Sequence, residues 1–119
     1  MTERIDSWEK AVAYALSLPD TVLSTSYGRP AVKVASNGRA FLYTGHEQKN
    51  SFGVGIDLDS VEILMATDPD TFWQSPHYEG WPAVLVRFAS RDPERVRELI
   101  DRSRDWTAAM PPPRSRKKK

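Results

Sequence analysis

The 119-residue chain contains no cysteine, which excludes disulfide staples, a thiol nucleophile and any thiolate-based zinc site. Histidine is nearly as scarce, with only His46 and His77. No segment approaches the roughly 20 consecutive apolar residues needed to span a bilayer, and residues 1–10 lack the apolar core of a secretion signal. A cytoplasmic location with no membrane partner is therefore expected. Phosphate-loop and dinucleotide fingerprints are missing too: Gly53-Val54-Gly55 lacks both the third glycine and the helix start that should follow. No internal repeat is present. Nor does one sign of charge dominate, since 17 Lys and Arg face 16 Asp and Glu for a net +1. Five of the basic residues, Arg114, Arg116, Lys117, Lys118 and Lys119, crowd the C-terminus, so residues 1–113 hold 12 basic against 16 acidic residues, or −4. A body that binds duplex DNA normally presents a basic face. Phosphate contact here has to come from the tail or from a local patch.

What the chain does have is ordinary globular composition: 39% hydrophobic and 28% charged residues, with four Trp, four Tyr and four Phe as large core pieces. Its length fits one domain. Residues 1–109 are assigned to that domain, and 110–119, a proline and basic run without periodicity, to a disordered tail. Ile5, Trp8, Val12, Ala15 and Leu16 recur at helical spacing and predict a helix over 3–18, ended by Pro19-Asp20. Asn37-Gly38 is a tight-turn signal that predicts a hairpin of strands 31–35 and 39–44. A third strand follows at 51–57, where Phe52, Val54 and Ile56 share one face and Gly53 and Gly55 leave the other open to close approach. Asp59 with Glu62 three residues on predicts a second helix, and Asp68-Pro69 a short helical turn through Trp73. Residues 75–78 and 83–88 read as the last strands, and Asp92-Pro93 opens a closing helix, with Arg97–Asp101 and Glu98–Arg102 at the spacing of charge pairs. The fold class is α+β: two layers, a single antiparallel five-stranded sheet with helices on one face, in the order α-β-β-β-α-β-β-α.

Strand parity predicts a working face. With Val32, Val34, Val84 and Val86 turned toward the helices, Lys33, Leu85 and Arg87 turn the other way, beside Gly53, Gly55 and either Arg39 or Tyr43. Tyr27, Tyr78 and Trp81 lie nearby. Basic groups interleaved with aromatics suit phosphate contact and base stacking, and they equally suit a half-solvated sheet with snorkelling side chains. Arg29 and the Gly28 backbone could hold an anion, or Gly28 and Pro30 could simply form the corner into a strand. His77 is the one plausible general base near neutral pH, but no nucleophile elbow or triad order accompanies it. It reads as a structural or surface histidine, and neither a catalytic residue, a cofactor nor a metal site is expected.

Thr25-Ser26-Tyr27-Gly28-Arg29-Pro30-Ala31-Val32-Lys33-Val34, Asp68-Pro69-Asp70-Thr71-Phe72, Ser75-Pro76-His77-Tyr78-Glu79-Gly80-Trp81-Pro82 and Val84-Leu85-Val86-Arg87 occur in this order. Together they resemble the MmcQ/YjbR family of small bacterial proteins across about residues 5–107. The resemblance implies a two-layer fold and a double-wing DNA-binding surface, and it carries over no catalytic residue. A non-enzymatic, weak DNA-binding protein is the leading expectation, with Arg29, Lys33 and Arg87 on phosphates and Tyr78 or Trp81 stacking. The alternative is a module for a small anionic ligand or peptide in a cleft between Tyr27–Arg29 and His77–Tyr78. Oligomeric state is left open.

Overall fold

A computed structural model describes residues 5–26, 28–44, 50–76, 78–88 and 92–112. Ser7, in extended backbone, opens α1 (Trp8–Leu16), its hydroxyl accepting from the Lys10 amide at 3.2 Å and so satisfying one of the helix's orphan N–H groups. The sequence pattern predicts a helix over 3–18; the Ser7 cap sets its start at Trp8 instead, and at the other end Pro19 disfavours helical backbone at the residue before it. Asp20, at φ 61°, then turns the chain into β1 (Thr21–Ser26). The remaining elements are β2 (Arg29–Val34), β3 (Ala40–Tyr43), β4 (Ser51–Gly55), α2 (Leu58–Thr67), β5 (Phe72–Trp73), β6 (Ala83–Arg87) and α3 (Pro93–Ala108). The strands form one six-stranded sheet in the order β1-β2-β3-β4-β6-β5, with every neighbouring pair antiparallel.

The α+β class holds, while two strand assignments change. β1 was not anticipated: it is an edge strand with both Val22 and Leu23 exposed, so it carries no alternation of buried and exposed positions to read. The strand expected at 75–78 is a turn closed by the Tyr78 amide on the Ser75 carbonyl at 2.9 Å. The partner of β6 is instead Phe72–Trp73, where a helical turn was expected. Asp68 there caps the end of α2 instead of starting a helix, and its carbonyl accepts from Thr71 and Phe72. The Gln74 side-chain amide then donates to the carbonyls of Trp81 and Ala83, standing in for a strand amide where pairing stops.

All three helices lie on one face of the sheet. Val32, Val34, Phe52, Val54, Ile56, Val84 and Val86 are buried against Ala11 and Ala15 of α1, Val61 and Leu64 of α2, and Val96, Leu99 and Ile100 of α3, as their parity predicts. Turn and cap chemistry holds these layers in register. The hairpin at Asn37-Gly38 forms, not as a two-residue tight turn but as a four-residue connection between Val34 and Arg39, closed by the Val34 amide on the Arg39 carbonyl and the Gly38 amide on the Val34 carbonyl, with Gly38 alone of the pair at positive φ, 74°. Asn37 also does more than turn the chain. Its buried side-chain amide donates to the carbonyls of Thr107 at 2.8 Å and Met110 at 3.0 Å, covering the open end of α3. α2 starts at Asp57, two residues before the position expected, because the Asp57 carboxylate accepts from the Ser60 amide and hydroxyl. Burial alone would raise that carboxyl; the Ser60 bonds and nearby Arg102 outweigh it and hold it below its usual range.

The charge pairs expected along α3 are diverted to other elements. Arg102 donates to Ser60 of α2, and Asp101 accepts from the Tyr14 hydroxyl of α1 at 2.7 Å while Arg97 lies over the Tyr14 ring. Burial first, and then the Asp101 carboxylate, push the Tyr14 phenol from 10.0 up to about 12. Because the folded protein keeps a proton that the unfolded chain loses, this contribution to stability is complete below pH 10 and is lost as pH rises through 12. Tyr14→Phe is expected to cost about 1 kcal/mol at neutral pH for the lost bond. It should also flatten part of the alkaline decline, both read from denaturant midpoints across a pH series.

Candidate binding face

The sheet surface turned away from the helices carries, on successive strands, Val22 and Ser24 of β1, Arg29, Ala31 and Lys33 of β2, Tyr43 of β3, Ser51, Gly53 and Gly55 of β4, Leu85 and Arg87 of β6, and Trp73 of β5. The alternation of side chains across the paired registers places them there. Arg39 is not among them: its guanidinium Nε donates to the Pro111 carbonyl, beyond the end of α3.

This face is not open throughout. Tyr78, delivered by the turn after β5, packs with Ala83 and Leu85 into a second small core, joined by Tyr43 and Trp73. Leu85 is only 1% exposed although it points away from the helices. The bare glycines are covered as well. A Cβ placed on Gly53 falls 2.5 Å from Cε1 of Tyr43, whereas one on Gly55 makes only ordinary contacts, 3.8 Å from Cζ3 of Trp106 and 3.9 Å from the Tyr43 hydroxyl. The group that approaches the Gly53 backbone closely is therefore the protein's own tyrosine. Burial, with the neighbouring Tyr78 phenol adding to it, pushes the Tyr43 hydroxyl well above the ordinary tyrosine range, so it stays neutral at physiological pH. Gly53→Ala is expected to destabilise the fold by about 1–3 kcal/mol, since the ring is pinned under Tyr78 and must be displaced. In a Tyr43→Ala background, itself destabilised by loss of the ring, the same Gly53→Ala change should cost little further, a non-additivity read from thermal melts of the four variants.

Arg87 is engaged within the fold. Its guanidinium carbon sits 4.8 Å from the centre of the Trp73 ring, and Nη1 donates to the carbonyls of Pro69 at 3.1 Å and Asp70 at 3.2 Å. The Trp73 indole N–H in turn donates to Ser51 Oγ at 3.0 Å. This chain of contacts fastens the short β5 to the sheet and commits Nη1 and one face of the Arg87 guanidinium to the fold. Lys33, by contrast, forms no ion pair or side-chain hydrogen bond among the described residues, and Arg29 stands four residues before it on the same face, with Ala31 between them. Trp81 is 56% exposed and meets Tyr78 edge-on, with ring centres 6.3 Å apart at 88°. The face thus has three zones: basic at β2, packed at Tyr43 and Leu85, and aromatic at Trp81. Tyr27 and His77, which the sequence singled out, lie outside the described residues.

Sequence reasoning missed Trp73 and Ser51 as parts of this face. The signal for Trp73 is the Phe72-Trp73 aromatic pair, which favours a strand, but the preceding Asp68-Pro69 has the pattern of a helix start.

Among the described residues no cluster of three or more His, Asp or Glu side chains is placed to hold a metal ion, and no helix is long and apolar enough to cross a membrane. A cavity of about 120 Å³ lies on the helix side of the molecule between α2 and α3, where Ile63, Arg95, Glu98 and Arg102 contribute to its walls. Its arginines are engaged, Arg95 with Thr67 and Phe72, and Arg102 with Ser60.

Comparisons with known proteins fit this architecture. A family model described as YjbR matches residues 16–106. The uncharacterized proteins Rv2570 of Mycobacterium tuberculosis (strain ATCC 25618 / H37Rv) and Mb2600 of Mycobacterium bovis are each 30% identical over 89 residues, covering 72% of this chain and 66% of the relative. The chain therefore spans about two thirds of the length of these curated relatives. The crystal structure of Deinococcus radiodurans protein DR2400, family-model domain DUF419, superposes with a TM-score of 0.68 at 16% identity, covering 84% of this chain and 77% of that one. At that identity the likeness is one of fold.

Proposed function

The chain belongs to the YjbR family, and we propose that it is a non-enzymatic protein that binds a nucleic-acid strand along the sheet face remote from its helices. Lys33 and Arg29 meet phosphates and Trp81 stacks on a base. The observation that carries the reading is the exposed Trp81 indole set edge-on against Tyr78, which packs on Leu85 of the face that also holds the basic pair of β2. Spacing argues for a polymer over a small anion. β2 and β6 are three strand intervals apart, about 14 Å at the usual separation of paired strands. One small anionic ligand does not bridge that distance, whereas a strand that repeats phosphate and base along its length does. A single strand suits the site better than a duplex, because stacking on an aromatic side chain needs an unpaired base face and does not need the broad basic surface that this acidic body lacks. The reading assigns no role to His77.

Anisotropy titrations of a labelled single-stranded oligonucleotide over a salt series test it. Lys33→Ala is expected to weaken binding at low salt and to reduce the slope of log affinity against log salt by about 0.7, the loss of one single-strand phosphate contact. Wild-type protein that fails to bind at low salt, or a Lys33→Ala variant with unchanged affinity and slope, would remove the basis for the proposal.

A further inference from the structure

β1 begins the strand order, so among the described residues nothing pairs with its outer edge. Native edge strands are usually protected by charge, proline or a bulge. Thr21-Val22-Leu23-Ser24-Thr25-Ser26 has none of these, and it exposes Val22 by 45% and Leu23 by 53%.

The hydrogen-bonding phase of this edge is fixed by its inner neighbour. The Ala35 amide donates to the Asp20 carbonyl at 2.8 Å, and Ser26 and Arg29 close the hairpin across its two-residue connection. Pro30, which has no amide hydrogen, stands opposite Thr25. In an antiparallel pair, bonded and non-bonded positions alternate, so Val22, Ser24 and Ser26 direct their backbone groups toward β2. Thr21, Leu23 and Thr25 therefore turn their amides and carbonyls outward.

We propose that β1 is a self-association edge, on which the β1 strand of a second copy pairs antiparallel about a twofold axis at Leu23. Only this register uses all of the outward groups: Leu23 faces its own counterpart, and Thr21 faces Thr25 on both sides of the axis. The two sheets then continue as one, with both helical layers on the same side. Leu23 points to that side, since it stands opposite buried Val32, and the two Leu23 side chains cover each other. Charge supports a second copy as the occupant. The paired segment is uncharged, so no like charges are brought face to face, and each copy directs its Asp20 end toward the end at which the other carries Arg29. The contact is isologous and closes on itself, giving a dimer in place of a fibre.

Sedimentation equilibrium of the full chain is expected to show a monomer–dimer equilibrium as concentration rises, and Leu23→Lys, placing two like charges at the axis, should hold the protein at single-chain mass with an unchanged circular dichroism spectrum. The register has its own test in a chain that has no native cysteine. Directly opposed residues at a bonded position have Cα atoms about 5.5 Å apart, inside the roughly 4.4–6.8 Å that a disulfide spans. Leu23→Cys should therefore give a covalent dimer under mild oxidation, while Val22→Cys, comparably exposed but opposed to Ser24, should lag well behind it. Single-chain mass up to the solubility limit, or equal cross-linking at both positions, would overturn the proposal.

Discussion

Leu85→Ala is expected to lower stability by about 2–5 kcal/mol, as for other buried leucines, and to shift the thermal midpoint by about 4 °C for each kcal/mol. Leu85 lies on the face away from the helices, where an open two-layer sheet would leave it half solvated. It is buried because Tyr78 folds back over it and Tyr43 and Trp73 close the sides. Val22 on the same face is 45% exposed, and Val22→Ala should change stability by no more than about 0.5 kcal/mol at a concentration where the chain is monomeric. The contrast between the two substitutions measures the second core directly. Equal, small effects at both positions would mean that the Tyr78 turn does not pack against the sheet in solution.

Trp81→Ala is expected to weaken single-strand binding about fivefold to 150-fold, corresponding to the ~1–3 kcal/mol that stacking one base on an aromatic side chain contributes. The fold should be nearly unaffected, because the indole is more than half exposed and the turn that carries it is held by backbone bonds from Trp81 to Tyr78 and from Ala83 to Trp81. Trp81→Phe keeps a stacking surface and should retain most of the affinity. Titrations at one fixed salt concentration give the comparison. A Trp81→Ala variant that binds as tightly as wild type would rule out stacking at this position, leaving the phosphate contacts to be judged on their own.

The helix-facing core was legible in the sequence because Val32, Val34, Phe52, Val54, Ile56, Val84 and Val86 alternate strictly with residues of the opposite face, and period two has one reading. Gly38 and Asp92-Pro93 were legible because positive φ and helix capping each demand particular residues, though the loop at Gly38 is four residues long where a two-residue turn was expected. β1 was not, since an edge exposed on both faces leaves no pattern. β5 was hidden by Asp68-Pro69, which is as compatible with a turn as with a helix start; pairing to β6 decided the matter. The candidate face was half legible. Parity placed Lys33, Leu85 and Arg87 together, but whether a side chain on that face is free depends on long-range partners. Arg87 meets Trp73 and the Pro69 and Asp70 carbonyls, and Tyr43 fills the space over Gly53; neither contact follows from local spacing. The role of Asn37 at the end of α3 links residues 70 or more positions apart and has no local signature either.

The most direct test of the proposed face is a titration of isotope-labelled protein with a short single-stranded oligonucleotide, followed by amide and indole chemical shifts. The account predicts that the largest changes fall on the Trp81 indole and on the amides of Arg29, Ala31, Val32 and Lys33, with the α2–α3 cavity around Ile63 and Arg102 unmoved. Changes confined to the basic residues from Arg114 onward, or centred on that cavity, would contradict it.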